Sequence, residues 1–177
     1  MDSNLSALTS RSFRSVKFIA ATLLASSLIL GTGSVFAFQL QSLDAKRVNL
    51  NDYVGDGRWT LVMFWSTDCI PCEQQKPMLE AFHRDHTKSK DASVVGIALD
   101  GIDQLEEINV LMDRHDPSYP NLVVFTDVFN RQYEELTGKK FRATPTYLLY
   151  APDGSLAGAR PGPIEREFIE SIVAAKP

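Results

Sequence analysis

The sequence predicts an α/β domain whose parallel core sheet carries helices on both faces and gains antiparallel strands at its ends. Three observations carry that prediction. Short apolar runs rich in β-branched and aromatic residues, at Trp59–Trp65, 93–99 and 122–125, read as buried strands. Segments of helical periodicity alternate with them. An Asp153-Gly154 turn between two further strand-like runs closes a hairpin near the C-terminus.

Phe38 to Leu43 alternates, and Asp44-Ala45-Lys46 turns the chain into Arg47-Val48-Asn49-Leu50, which predicts an N-terminal hairpin. Gly55-Asp56-Gly57 breaks the chain before the central strand, Trp59 to Trp65. Residues Glu73 to His86 read as a helix that Pro77 should kink, because its ring removes a helical N–H bond. After the strand at 93–99 comes a helix over about Gln104 to Arg114, with Leu105, Ile108, Leu111 and Met112 on one face. Pro117 and Pro120 stop it. The strand at 122–125 leads to a short helix, Asn130 to Leu136, ended by Gly138. Thr146 to Tyr150 and Ser155 to Arg160 form the final hairpin. The last helix is expected over Ile164 to Ala175, with Phe168, Ile172 and Val173 facing inward.

The chain has 177 residues, with 44% hydrophobic and 23% charged, ordinary values for a globular protein. Residues 38–177 are expected to form one domain. The formal charge of −4 and the lack of any basic block argue against nucleic acid as a partner. Two cysteines and three histidines do not make a structural zinc pattern: His83 and His86 share a helix with Cys72, and all three histidines, His115 included, read as solvated helix residues. No metal and no cofactor are expected.

Residues 1–37 read as a targeting segment. Arg11, Arg14 and Lys17 form a positive flank, and Phe18 to Ala37 is uncharged and ends Ser34-Val35-Phe36-Ala37, a pattern suited to signal peptidase cleavage after Ala37. The same stretch is long enough to serve as an uncleaved membrane anchor. Strand-like sequence begins at once after Ala37, which favours cleavage over an anchor on a linker. Either way the domain is expected to be exported, to a periplasmic location. Beyond residue 37 the chain carries 15 basic and 21 acidic residues, a net −6.

Export makes the cysteine count informative. Cys69-Ile70-Pro71-Cys72 lies where the central strand passes into a helix, so the first thiol sits at a helix N-terminus, where unpaired N–H groups favour a thiolate. The second lies one turn in and can close a disulfide with the first. So short a loop removes little chain entropy, which makes a merely structural clip the weaker reading. Thiol–disulfide exchange suits the geometry better.

Phe64-Trp65-Ser66-Thr67-Asp68-Cys69-Ile70-Pro71-Cys72, followed by Pro77, resembles the active-site segment of thioredoxins. Thr144-Pro145-Thr146 resembles their cis-proline loop, and Gly162 falls where they carry a glycine after the last strand. The N-terminal hairpin and the extra strand–helix unit near residues 91–125 are similar to the exported branch, which includes the TlpA and ResA type reductases and the thioredoxins of cytochrome c maturation. The resemblance covers nearly all of residues 38–175. It implies a thioredoxin-like fold: a mixed central sheet with flanking helices, an N-terminal β-hairpin and an inserted strand–helix unit. It also implies that Cys69 is the exposed nucleophile, that the more buried Cys72 resolves the mixed disulfide, and that a cis Pro145 packs beside the sulfurs. Trp65, Ile70, Pro71 and Thr144 would meet the substrate, the backbone of Thr144 pairing with it in strand fashion.

The chain departs from the family pattern in three places. Thioredoxins carry an acid on the central strand near the buried cysteine, where this chain has Met63; Asp100 is then the candidate proton acceptor for Cys72, with capping of the following helix as its other reading. Asp68 and Glu73 place negative charge on both sides of the cysteine pair, which disfavours the thiolate. Strong oxidants of this fold stabilise their thiolate, so the expectation is a reductant, nearer ~−270 mV than ~−120 mV. The third departure, the missing linker, leaves membrane attachment open.

The resulting expectation is an exported protein-disulfide reductase, monomeric, acting on apocytochrome c or copper-site cysteines and re-reduced by a membrane electron donor. Two other readings stand beside it. A copper-binding assembly factor would use both thiolates, but relatives of that kind space their cysteines by three residues and add a distant histidine. A peroxiredoxin-like peroxidase would need a proline ahead of its Thr/Ser-x-x-Cys, and this chain has none there.

Overall fold

A computed structural model describes residues 38–175; the expected targeting segment and its cleavage after Ala37 lie outside the described residues. The strands are β1 (Gln39–Ser42), β2 (Arg47–Asn49), β3 (Trp59–Trp65), β4 (Ala92–Ala98), β5 (Asn121–Val124), β6 (Thr146–Tyr150) and β7 (Leu156–Pro161). The helices are α1 (Ile70–Ser89), α2 (Leu105–His115), α3 (Thr126–Thr137) and α4 (Arg166–Ala174).

All seven strands join one mixed sheet in the order β2-β1-β5-β4-β3-β6-β7. β3 and β4 pair in parallel, as do β4 and β5, while β6 runs antiparallel to β3 and β7 to β6. The N-terminal hairpin docks on the far side, with β1 antiparallel to β5 through Leu40 opposite Val124. That long-range pairing cannot be read from local sequence, because nothing in either strand names its partner.

Alternation along β3 divides the core. Leu61, Met63 and Trp65 face one layer with Cys72, Leu79 and Phe82 of α1, Ile108 and Met112 of α2, and Ile169 and Val173 of α4. Val62 and Phe64 face the other, with Phe38, Leu50 and the α3 residues Phe129 and Tyr133. Helices thus cover both faces, three against one.

Several expectations need correction. α3 begins at Thr126, four residues earlier than expected, because Phe129 must reach the core and starts the amphipathic stripe. α4 begins at Arg166; Ile164 is buried ahead of it, Ile169 joins the expected Val173 in facing inward, and Phe168 is 45% exposed under the Arg160 guanidinium. α1 begins at Ile70, three residues earlier than expected, and runs on past Pro77 as one helix of 20 residues to Ser89. The histidines are hydrogen-bonded rather than free in solvent, and His86 is buried. His86 is buried between Asp91 (2.7 Å) and Glu170 (2.9 Å), joining α1 to α4. His83 Nδ1 accepts from Val94 N–H at 3.0 Å, and burial pushes its pKa down. His115 bonds Glu73. Each imidazole's partner is distant in sequence or across a turn, beyond the reach of local periodicity.

Gly96 on β4 is needed for close approach. A Cβ there would lie 2.0 Å from Asn121 Oδ1 and 3.2 Å from Trp65 Nε1, so any side chain would displace the Asn121 amide packed beside the tryptophan.

Candidate active site

Cys69 and Cys72 form a disulfide with a Cα–Cα distance of 5.2 Å. β3 delivers the chain to this point: Trp65 ends the strand fully buried, and the loop Ser66-Thr67-Asp68 turns it into α1. Cys69 is the helix N-cap. Its Sγ accepts the N–H of Cys72 at 3.1 Å, and its carbonyl accepts the N–H groups of Cys72 and Glu73. A sulfur in that place sits where free backbone donors and the helix dipole favour negative charge. Pro71 in the first turn sacrifices no helical bond.

The contrast in exposure between the two cysteines is small. Cys69 is 7% exposed and Cys72 not at all, so both sulfurs are largely covered. The outward residues are Ile70, 71% exposed, and Pro71. Together they form an apolar rim around a nearly hidden disulfide.

Two clasps hold the loop. The Asp100 carboxylate, just past β4, accepts the Thr67 N–H with both oxygens at 3.1 Å and the Thr67 hydroxyl at 2.7 Å. Asp100 therefore does not cap the following helix; it fixes the loop two residues before Cys69. Across the site, Ser66 and Thr144 share a hydroxyl–hydroxyl bond of 3.3 Å. That bond ties the cysteine loop to the loop carrying Pro145, where the Thr144–Pro145 peptide is cis and Pro145 is buried. Gly162 N–H returns to the Pro145 carbonyl at 2.8 Å, at a φ of +84° that suits glycine.

Where the family carries an acid, Met63 is buried with the Tyr147 hydroxyl 3.5 Å from its sulfur. The same hydroxyl donates to Gln75 Oε1 at 2.9 Å, and Gln75 also accepts Ile164 N–H at 3.0 Å. Burial holds the Tyr147 phenol well above its ordinary pKa, so it stays a neutral donor.

The charge around the pair differs from the expectation. Asp68 is exposed and bonds Ser66; among the described residues no basic group pairs with it. Glu73, expected as an uncompensated charge beside the pair, instead pairs with Lys76 at 2.5 Å and with His115 from the end of α2. Burial pushes the Glu73 carboxyl up, but these two partners outweigh it and hold it below the usual range. Lys76 is only 4% exposed and its Nζ lies 4.1 Å from the centre of the Trp65 ring. The sequence held a signal for Lys76, which falls four residues after Cys72 and so on the same helix face. For Tyr147, Gln75 and His115 it held none, because their contacts cross the fold.

Comparison with known proteins agrees with this architecture. The thiol-disulfide oxidoreductase ResA of Halalkalibacterium halodurans is 22% identical over 136 residues, a match spanning 77% of this chain and 71% of that protein. ResA of Bacillus subtilis is 25% identical over 136 residues, 77% and 70% of the two chains. A shorter match to ResA of Oceanobacillus iheyensis, 29% identical over 87 residues, spans 43% of that relative. Among solved structures, a thiol:disulfide interchange protein from Chlorobium tepidum superposes with a TM-score of 0.64 at 22% identity, covering 78% of this chain and 92% of that one. StoA from Bacillus subtilis gives 0.56 at 17% identity, with 76% and 94% covered. These structural likenesses establish the thioredoxin-like fold. Residues 33–159 match the AhpC/TSA family, and the chain belongs to it.

Proposed function

We propose that this chain is an exported thiol–disulfide oxidoreductase that reduces disulfides in other proteins. The observation that carries the reading is the Cys69–Cys72 disulfide at the N-terminus of α1, with Cys69 Sγ already accepting a backbone N–H. A bridge that spans so few residues adds little stability, whereas its position favours the thiolate that exchange requires. The relatives named thiol-disulfide oxidoreductase support the same activity.

In the reaction, the reduced Cys69 thiolate attacks one sulfur of a substrate disulfide. A mixed disulfide forms and the substrate's other sulfur leaves as thiolate. Cys72 then attacks Cys69, closing the internal disulfide and releasing the second substrate thiol. Two electrons pass from the cysteine pair to the substrate, and the proton from Cys72 must be taken up. Asp100 is the acceptor we assign to it, since its carboxylate is seated on Thr67, two residues before Cys69. Ile70, Pro71 and Thr144 form the substrate contact surface, with Pro145 beneath it; Trp65, expected to share that surface, is buried behind the loop and packs on Lys76 instead.

An exported pair is re-oxidised in each cycle, so the reading includes a membrane donor of two electrons. The substrates it favours are cysteine pairs awaiting haem or copper, as in apocytochrome c. Direction follows from charge. With Glu73 compensated, the exposed Asp68 and the Asp100 carboxylate seated on Thr67 are the negative groups left beside the nucleophile, and the potential belongs nearer ~−270 mV than ~−120 mV. Equilibration of the 177-residue chain with glutathione or dithiothreitol buffers tests this; a value above about −180 mV would reverse the assigned direction. A Cys72→Ser variant should trap the physiological substrate on Cys69, and trapping by Cys69→Ser alone would exchange the two roles.

A further inference from the structure

Lys76 has no place in the reaction just described, yet it is the one lysine the fold buries among the described residues. Burying an ammonium is costly unless it is paired. Here it is held from two sides: Glu73 at 2.5 Å and the face of Trp65 at 4.1 Å. Glu73 in turn carries His115, so α1 and α2 share one carboxylate. The charged groups facing Lys76 are Glu73 on its own helix, Arg114 and His115 at the end of α2, and Asp100 beyond β4. Burial pushes the lysine's pKa down, and Glu73 counters that push.

The position matters because of what lies at each end of the contact. Trp65 is the last residue of β3 and is followed directly by the loop that carries Cys69. Glu73 is the residue after Cys72 and four after Cys69, one helical turn from the nucleophile. A free carboxylate there would oppose the Cys69 thiolate. A paired one opposes it far less.

We propose that Lys76 is a positioning residue for thiol–disulfide exchange: it clamps Trp65 at the base of the active loop and offsets the charge of Glu73, thereby sustaining the Cys69 thiolate. The proposal rests on the oxidoreductase reading above. It assigns Lys76 no contact with substrate and no proton transfer. Its consequence is that Lys76 and Glu73 act on the thiolate with opposite signs, which a purely structural ion pair would not produce.

The test measures the reduced 177-residue chain by the pH dependence of iodoacetamide alkylation at Cys69. Lys76→Met keeps the apolar stem over Trp65 but leaves Glu73 without its lysine. It should slow alkylation at pH 7 roughly 3- to 10-fold and move the profile to higher pH. Glu73→Gln should do the reverse, speeding alkylation and moving the profile to lower pH. Lys76→Arg should restore wild-type behaviour. A profile unchanged in Lys76→Met, or shifts of the same sign in Lys76→Met and Glu73→Gln, would overturn the proposal. Should Lys76→Met fail to fold, the Glu73→Gln profile decides alone, an unchanged or upward-shifted one being fatal. Insulin disulfide reduction by the wild-type chain is run alongside. Its absence would refute the oxidoreductase reading itself, whereas normal reduction with unmoved alkylation profiles would refute only the role of Lys76.

Discussion

On one face of the sheet Phe38, Phe64, Phe129, Tyr133 and Phe141 pack with ring centroids between 5.0 and 6.1 Å apart, mostly edge to face. On the other face, around Met63 and Trp65, the fold encloses a disulfide, a buried lysine and a buried histidine. The same strand, β3, supplies both through strict alternation. The aromatic face gains from area removed from water and from ring geometry, and asks nothing of charge. The sulfur face buries groups that cost free energy unless each meets a partner: Lys76 with Glu73, His86 with Asp91 and Glu170, Tyr147 with Gln75. One face makes the fold stable, and the other makes a small region of it exact enough to react.

That division can be broken most sharply at Cys69. Cys69→Ser should reduce insulin disulfide turnover to the uncatalysed rate while moving the urea midpoint little, since the bridge it removes closes a very short loop. A large fall in stability would mean the disulfide is a structural clip after all. Phe64→Ala tests the opposite face. It should cost about 3–5 kcal/mol by urea unfolding, yet leave Cys69 alkylation in the native protein at its wild-type rate. Altered alkylation would show that the two faces are coupled through β3.

Smaller effects sharpen the picture. Asp100→Asn retains one acceptor for Thr67 but loses the charge, so stability should drop by about 1–2 kcal/mol and turnover by more than that loss explains. Equal alkylation and turnover in the variant would leave Asp100 a loop clasp with no part in moving the proton of Cys72. The least effect concerns acid stability. Glu73 has a folded pKa below its unfolded one, so its contribution is whole above about pH 4.3 and is lost as pH falls through the lower folded value. The gap in melting temperature between wild type and Glu73→Gln should therefore narrow on acidification below about pH 4.3. A gap that stays constant to pH 2 would show that the Glu73 charge does not stabilise the fold.

By itself the sequence determined the features that rest on neighbours in the chain. β-Branched and aromatic runs become strands wherever they are buried, so β3, β4 and β6 were legible to within about a residue. The Cys69–Cys72 pair at a strand–helix junction, and Thr144-Pro145 far along the chain, marked the site before any coordinates. Only the tertiary structure decided what depends on partners distant in sequence. It seated β1 against β5 and turned Asp100 from a helix cap into the clasp of Thr67. It moved Glu73 from an uncompensated charge into a pair with Lys76 and His115, and all three histidines from solvent into hydrogen bonds. The physical reason is common to all of these. A strand or a helix is chosen by local periodicity and steric preference, whereas the state of a polar side chain is set by whichever group the folded chain brings within about 3 Å of it.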